Sequence, residues 1–342
     1  MIDFRYHLVS IVAVFLALAI GIVLGSTELQ GPAYNFLNRT TAKLQNDLDQ
    51  ARSQLAQAQA QAAVDESYAQ AVESAVLRDL LPGQRLLIVT EPGAQSSVVT
   101  GISAAAADAG ATVTGQINLA PKFFDTSSTA QDSLNQVTVE VAQAAGIELD
   151  ASGTYQQQAA QVMASEILTT SPGSSATLPG VSGQSAGAAA MLQAYATSQF
   201  LGTSGQPATP ATLAVVVTPQ NAPSDGLANQ FGQVIIPLVQ ELAAKSSATV
   251  VVGSSSGSGA GSPIAVLRSS NVSSQVSTVD DADLVSGQTV AIQALAVLLG
   301  GGKGGNYGFT ANGAAAVAPS PAPTPTASPS ATSTSSAKKV SK

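Results

Sequence analysis

The sequence predicts an α/β protein on three observations. An uncharged apolar run, Leu8–Gly25, opens the chain; a seven-residue apolar repeat begins at Leu37; and beyond Pro82 short Val/Ile/Leu runs alternate with helical stretches. Assembled, they give an N-terminal transmembrane helix and a coiled-coil stalk, followed by a Rossmann-like, mostly parallel sheet domain with a helical insertion.

The anchor comes first. Ser10 is the only polar residue between Leu8 and Gly25, and at about 1.5 Å per residue the run reaches roughly 27 Å, close to the ~30 Å hydrocarbon core. A cleaved signal peptide would need a basic leader and a small-residue cleavage site. The leader has Arg5 against Asp3, and GSTELQGP after the run has no A-x-A site, so the expectation is an uncleaved single-pass anchor. Basic residues flank both ends, Arg5 on one side and Arg39 and Lys43 on the other, and do not decide orientation. The short leader and the Lys-poor, Ser/Thr-rich remainder place residues 1–7 in the cytoplasm and the bulk of the chain outside the cell membrane, in the envelope.

Residues 33–81 read as the stalk. Leu37, Leu44, Ala51, Ala58 and Val72 fall on a positions, and Leu48, Leu55, Ala62, Ala69 and Val76 on d positions. Thr41 at d and Asp65 and Asp79 at a interrupt the seam, since a buried unpaired carboxylate is costly. Two readings stay open: a solitary juxtamembrane spacer, or a parallel homodimeric coiled coil that makes the protein a homo-oligomer. Either spans about 70 Å if fully helical.

Pro82 and Gly83 end the helix, and the α/β domain covers 85–309. Arg85–Thr90 (RLLIVT), Thr112–Leu119, Leu213–Thr218 and Thr249–Gly253 are apolar runs of the kind buried in parallel sheets. Asp225–Lys245 reads as a crossover helix kinked by Pro237, and the right-handed crossover rule gives a doubly wound topology. A helical insertion at about 126–200 holds helices over Ala130–Gly146 and Tyr155–Thr169 and a loop over Ser171–Ala186. Residues 311–342, rich in Pro, Ser and Thr, have too little apolar mass to fold and read as a disordered tail.

Composition narrows the chemistry. The chain has 342 residues, a formal charge of −8, no Cys, one His and three Met. An acidic chain without a basic patch is not built for nucleic acid. Two G-x-S-x-G strings, Gly183–Gly187 and Gly253–Gly257, resemble nucleophile elbows. The only imidazole, His7, adjoins the anchor, so neither serine has a base within the domain, and no enzyme activity is expected. GGGKGG around Lys303 lacks the Ser or Thr of a phosphate loop, and Gly257, Gly259 and Gly261 lack G-x-G-x-x-G spacing. The acidic string Asp280–Asp283 (DDAD) offers Asp280 and Asp283 as weak ligands for a hard cation, but a calcium loop needs more oxygens at set spacing. The expectation is a solvated turn capping the helix that follows.

The opening MIDFRYHLVSIVAVFLALAIGIVLG, together with TVDDAD, SGQTVAIQALAVLLGG and GNYGF near the other end, resembles the actinobacterial MctB family, described as copper transport proteins and also called SteB. The matching positions include Arg5, His7, Asp280, Asp283, Gly287, Gly305, Tyr307 and Gly308, and the likeness runs from Met1 to about Phe309. The family's last helix usually begins Gly-Arg, whereas Gln288 follows Gly287 here. The resemblance implies an envelope protein of copper transport or copper ion homeostasis. It also implies an alternative, a non-enzymatic cell-division scaffold that docks a SteA-like partner. Copper(I) favours Cys and Met sulfur and copper(II) favours imidazole, so this donor set leads to no cofactor and no metal site, with copper at most a transported ion.

Overall fold

The computed structural model describes residues 4–170, 181–221, 228–257 and 261–309. It comprises two compact units, Met1–Ser67 and Tyr68–Lys342. The proposed tail at 311–342, Ser171–Gly180 of the expected loop, Gly259, and residues 1–3 of the leader lie outside the described residues.

The first unit is helical, formed by α1 (Phe4–Leu77), which continues into the second. Its seam residues Leu44, Leu48 and Leu55 are 63%, 50% and 59% exposed in the single chain. The helix stops at Leu77, four residues short of the end of the heptad reading, because Asp79 takes a left-handed backbone with φ 61°. Leu77 and Leu81 are fully buried in the core of the second unit.

The second unit is the expected α/β fold. Its strands are β1 (Arg85–Thr90), β2 (Thr112–Leu119), β3 (Leu201–Gly205), β4 (Leu213–Val217), β5 (Ala248–Val252), β6 (Ser277–Val279) and β7 (Asn306–Tyr307). They form one sheet in the order β3-β2-β1-β4-β5-β6-β7, parallel throughout except that β3 runs antiparallel to β2. The chain order reverses between β1 and β4, as in doubly wound folds.

Burial on both faces explains the unbroken apolar runs. Every residue of β4 and β5 is buried, and successive side chains alternate between two cores. Leu213, Val215 and Val217 join one core with Ile88, Ile102 and Leu295; Ala214 and Val216 join the other with Val89, Ile235 and Leu238. The first lies under α2 (Ser96–Asp108) and α8 (Val285–Leu299).

The second core includes the inserted helices. α3 (Ser128–Ala145) starts where the Ser127 side chain accepts from the Ala130 N–H and ends at Gly146 with φ 68°. α4 (Tyr155–Ile167) is capped the same way by Thr154 on the Gln157 N–H, so Ser and Thr caps start both helices and a glycine stops α3. The expected loop is overturned from Val181 onward: α5 (Val181–Thr197) is helix, because SAGAAAM is alanine-rich and alanine is the strongest helix former. The first G-x-S-x-G string therefore lies inside a helix and is no elbow. Thr138 of α3 donates to the Leu134 carbonyl at 2.7 Å, so the buried Tyr195 hydroxyl, 2.9 Å away, is the donor to Thr138. Burial pushes the Tyr195 phenol up to about 12.

α6 (Ala228–Lys245) contains Pro237, as expected, while Asp225–Leu227 lie outside the described residues. Three strands escape the sequence pattern: β3 contains two glycines, β6 has three residues and β7 two.

Candidate functional site

The carboxyl ends of the central strands carry the sequence motifs, and there the loops are laced together. The Glu91 N–H donates to Val217 O and the Gln220 N–H to Gly93 O, both at 2.9 Å, joining the loops after β1 and β4. Ser254 and Ser256 each donate a hydroxyl to Gln220 O at 2.9 Å. The next loop along is tied in by Gly253 N–H to Val279 O and Ala282 N–H to Gly253 O. The second G-x-S-x-G string thus serves as a junction. Its Ser255 gives both its backbone N–H, at 3.1 Å, and its hydroxyl, at 3.3 Å, to the Asp283 carboxylate. Both bonds tie the loop after β5 to the acidic turn.

The DDAD string corrects the expectation of a solvated helix cap. α8 has Leu284 at its N-cap with no side-chain cap bond, and Asp280 is fully buried. One Asp280 oxygen accepts from Arg268 Nη1 at 2.7 Å and the other from the Phe309 N–H at 2.7 Å. Arg268, at the end of α7 (Pro263–Arg268), also gives Nε to Thr278 Oγ1 at 2.8 Å and Nη2 to Tyr307 O at 2.7 Å. One guanidinium therefore fastens β6 to β7. Removing one member of a buried pair leaves an uncompensated charge, which is why such pairs are costly to break.

The glycines of GNYGF fit this latch. Gly308 has φ +105°, and a Cβ there would collide with Asp280 Oδ1. A Cβ on Gly305 would stand 2.5 Å from the Tyr307 hydroxyl. Gly287 lets α8 approach the acidic turn, since its Cβ would run into Asp281 O. Gln288 donates Nε2 to Ala282 O at 3.0 Å, and a Cβ on Gly101 of α2 would strike its side chain. Burial, with the charge of Asp280 adding to it, pushes Asp281 up to about 6.

The fold thus brings Asp280, Tyr307 and Gly308 together around Arg268, places Gly305 against Tyr307, and sends Asp283 to Ser255. Arg5 and His7 stand on the first turns of α1, in the first unit. Among the described residues no group of three or more His, Cys, Asp and Glu is placed to hold a metal ion. Met163 and Met191 are both buried in the apolar core of the insertion. Sequence reading missed Arg268; the available signal was a lone arginine ending the apolar stretch PIAVLR, ten residues before Thr278. It also missed Glu91, whose burial no local pattern announces.

Among the described residues one helix is long and apolar enough to cross a membrane, over Arg5–Gly25. An N-terminal apolar helix followed in the chain by an α/β unit fits the class of membrane-anchored proteins. The family model described as "Copper transport outer membrane protein, MctB" matches residues 1–319, and the chain belongs to that family. It is similar to the protein named "Copper transporter MctB" of Mycobacterium tuberculosis and that of Mycobacterium bovis, each 28% identical over 319 residues, covering 92% of this chain and 98% of the relative. The protein of that name from Mycobacterium leprae is 27% identical, covering 90% and 96%.

Proposed function

We propose that this chain is a membrane-anchored envelope protein of copper homeostasis that acts without a high-affinity copper site of its own. Its N-terminus faces the cytoplasm and its α/β unit lies outside the membrane. The copper role rests on family membership, and the donor set carries the rest: no Cys, one His in the first turns of α1, and two buried thioethers in the α/β unit. Carboxylates alone hold copper(II) loosely and copper(I) hardly at all. Copper as cargo would then cross through an oligomer or a partner, since one apolar helix has no polar lining and a mostly parallel open sheet is not a lipid-facing barrel.

Titrating the purified full chain with copper(I) and copper(II) against a competing chelator tests this directly. The chelator is expected to retain the metal while a deletion strain shows altered copper tolerance. Stoichiometric copper on the protein would overturn the reading.

A second reading is favoured by the exposed seam of α1. Leu44, Leu48 and Leu55 present leucine at heptad spacing with nothing covering them in the single chain. Paired in parallel with a second copy, they would make a dimeric stalk displaying two α/β units as a scaffold for a SteA-like envelope partner. Crosslinking in cells followed by mass spectrometry separates the two readings by naming the neighbours.

A further inference from the structure

A groove of about 520 Å³ lies among α3, α4 and α5, with Glu140 and Glu166 in its wall and no basic side chain. Neither carboxylate has a hydrogen bond or an ion pair among the described residues. The rest of the lining is short and apolar: Val141 and Met191 are buried, and Ala144 and Ala190 are exposed. Glu166 is half-buried, and a Cβ on Gly187 of α5 would stand 2.7 Å from its Oε2. The carboxylate is thus pressed against α5 with no donor to meet it, and burial pushes its pKa up.

Helix position sharpens the shortage of positive charge. Glu166 lies in the last turn of α4 and Glu140 in the last turn but one of α3, and neither helix has a basic residue in its last turn. The C-terminal end of a helix carries partial negative charge and favours cations. An apolar groove with two carboxylates at such ends is complementary to ammonium groups carried on a segment with small apolar side chains.

The chain itself holds such a segment. Ala337–Lys342 (AKKVSK) sets Lys338, Lys339 and Lys342 around Val340, and residues 310–342 contain no Asp or Glu. Lys338 and Lys339 are the only adjacent basic residues in the sequence. Phe309 follows β7 at one edge of the sheet, and α5 packs against β3 at the other. Seven strands at ~4.8 Å spacing put those edges about 29 Å apart, and residues 310–337 can reach roughly 90 Å at full extension. Tethering makes the encounter intramolecular, so a few exposed charge pairs suffice where a free partner would need more.

We propose that Ala337–Lys342 docks in this groove of its own chain, with its lysines on Glu140 and Glu166 and Val340 over the groove's alanines.

The chain has no Cys, so a pair of introduced thiols reports the contact. In the full chain in detergent, Ala144→Cys places one thiol in the groove and Ser341→Cys the other in the segment. The control pair joins Ser341→Cys to Ala104→Cys, at an exposed position of α2 on the opposite face of the sheet. With diamide as oxidant, the groove pair is expected to form its intrachain disulfide about fivefold faster than the control. Glu140→Gln with Glu166→Gln should lower that ratio about threefold, and so should Lys338→Gln, Lys339→Gln and Lys342→Gln together, or salt raised to about 0.5 M. Circular dichroism melts check that the glutamate variant folds; if it does not, the lysine variant decides. Equal rates for the two pairs, a ratio unmoved by neutralising the lysines, or a groove disulfide that forms only between chains, as cross-linked dimer, would overturn the proposal.

Discussion

Arg268→Ala removes the one guanidinium that joins β6, Asp280 and the β7 backbone. Asp280 then keeps the Phe309 N–H but loses its counter-charge while remaining fully buried. Thr278 Oγ1 and Tyr307 O each lose a donor as well. Breaking a buried ion pair by truncating one partner costs about 3–5 kcal/mol. In a unit of this size that corresponds to a fall in Tm of roughly 6–20 °C, a large share of a domain's total stability. The chain has no Trp, so the unfolding is followed by calorimetry or circular dichroism. A companion variant, Arg268→Met with Asp280→Asn, removes both charges while the new amide oxygen can still accept from the Phe309 N–H. It should recover at least half of the loss, because the penalty lies mainly in stranding the carboxylate. A fall of under about 2 °C for Arg268→Ala, within the range of ordinary surface changes, would refute the latch.

Gly308→Ala should act on the same junction by another route, since its Cβ would enter Asp280 and its backbone is left-handed; faster amide exchange at Tyr307 and Phe309 reports it. Glu91 makes stability depend on pH. Its folded pKa of about 8 lies above the ordinary glutamate value of 4.5, so between those values the folded state holds a proton that the unfolded chain has released. Stability therefore falls as pH rises through that window, by on the order of 1 kcal/mol per unit. Denaturant unfolding at pH 5, 7 and 9 should show that slope flattened in Glu91→Gln. In the stalk, Leu48→Asp with Leu55→Asp should dissociate the full chain, each burying an unpaired carboxylate in a coiled-coil seam; unchanged mass in sedimentation equilibrium would mean that α1 does not pair.

Local pattern was enough for the elements whose identity is local. Leu8–Gly25 is apolar for the length of a bilayer, RLLIVT and LAVVVT are apolar on both faces, and Ser127, Thr154 and Gly146 punctuate helices through bonds to their own neighbours. The parallel sheet follows from those runs and the helices between them, because a strand buried on both faces has no polar alternation to show. Tertiary structure decided the rest. β7 is two residues long, and beside its ladder to β6 it is held by Arg268, 39 residues earlier in the chain, through the Tyr307 carbonyl. The acidic turn reads as solvated because three carboxylates in four residues are ordinarily exposed; Asp283 does stay exposed, while Asp280 is drawn in by a guanidinium on α7. Glu91 looks like any loop glutamate until the Val217 and Gln220 bonds close over it. Periodicity records what each residue must face, sheet or solvent. Which partner it meets across the fold depends on contacts between distant segments, and a single sequence carries no local signature of those.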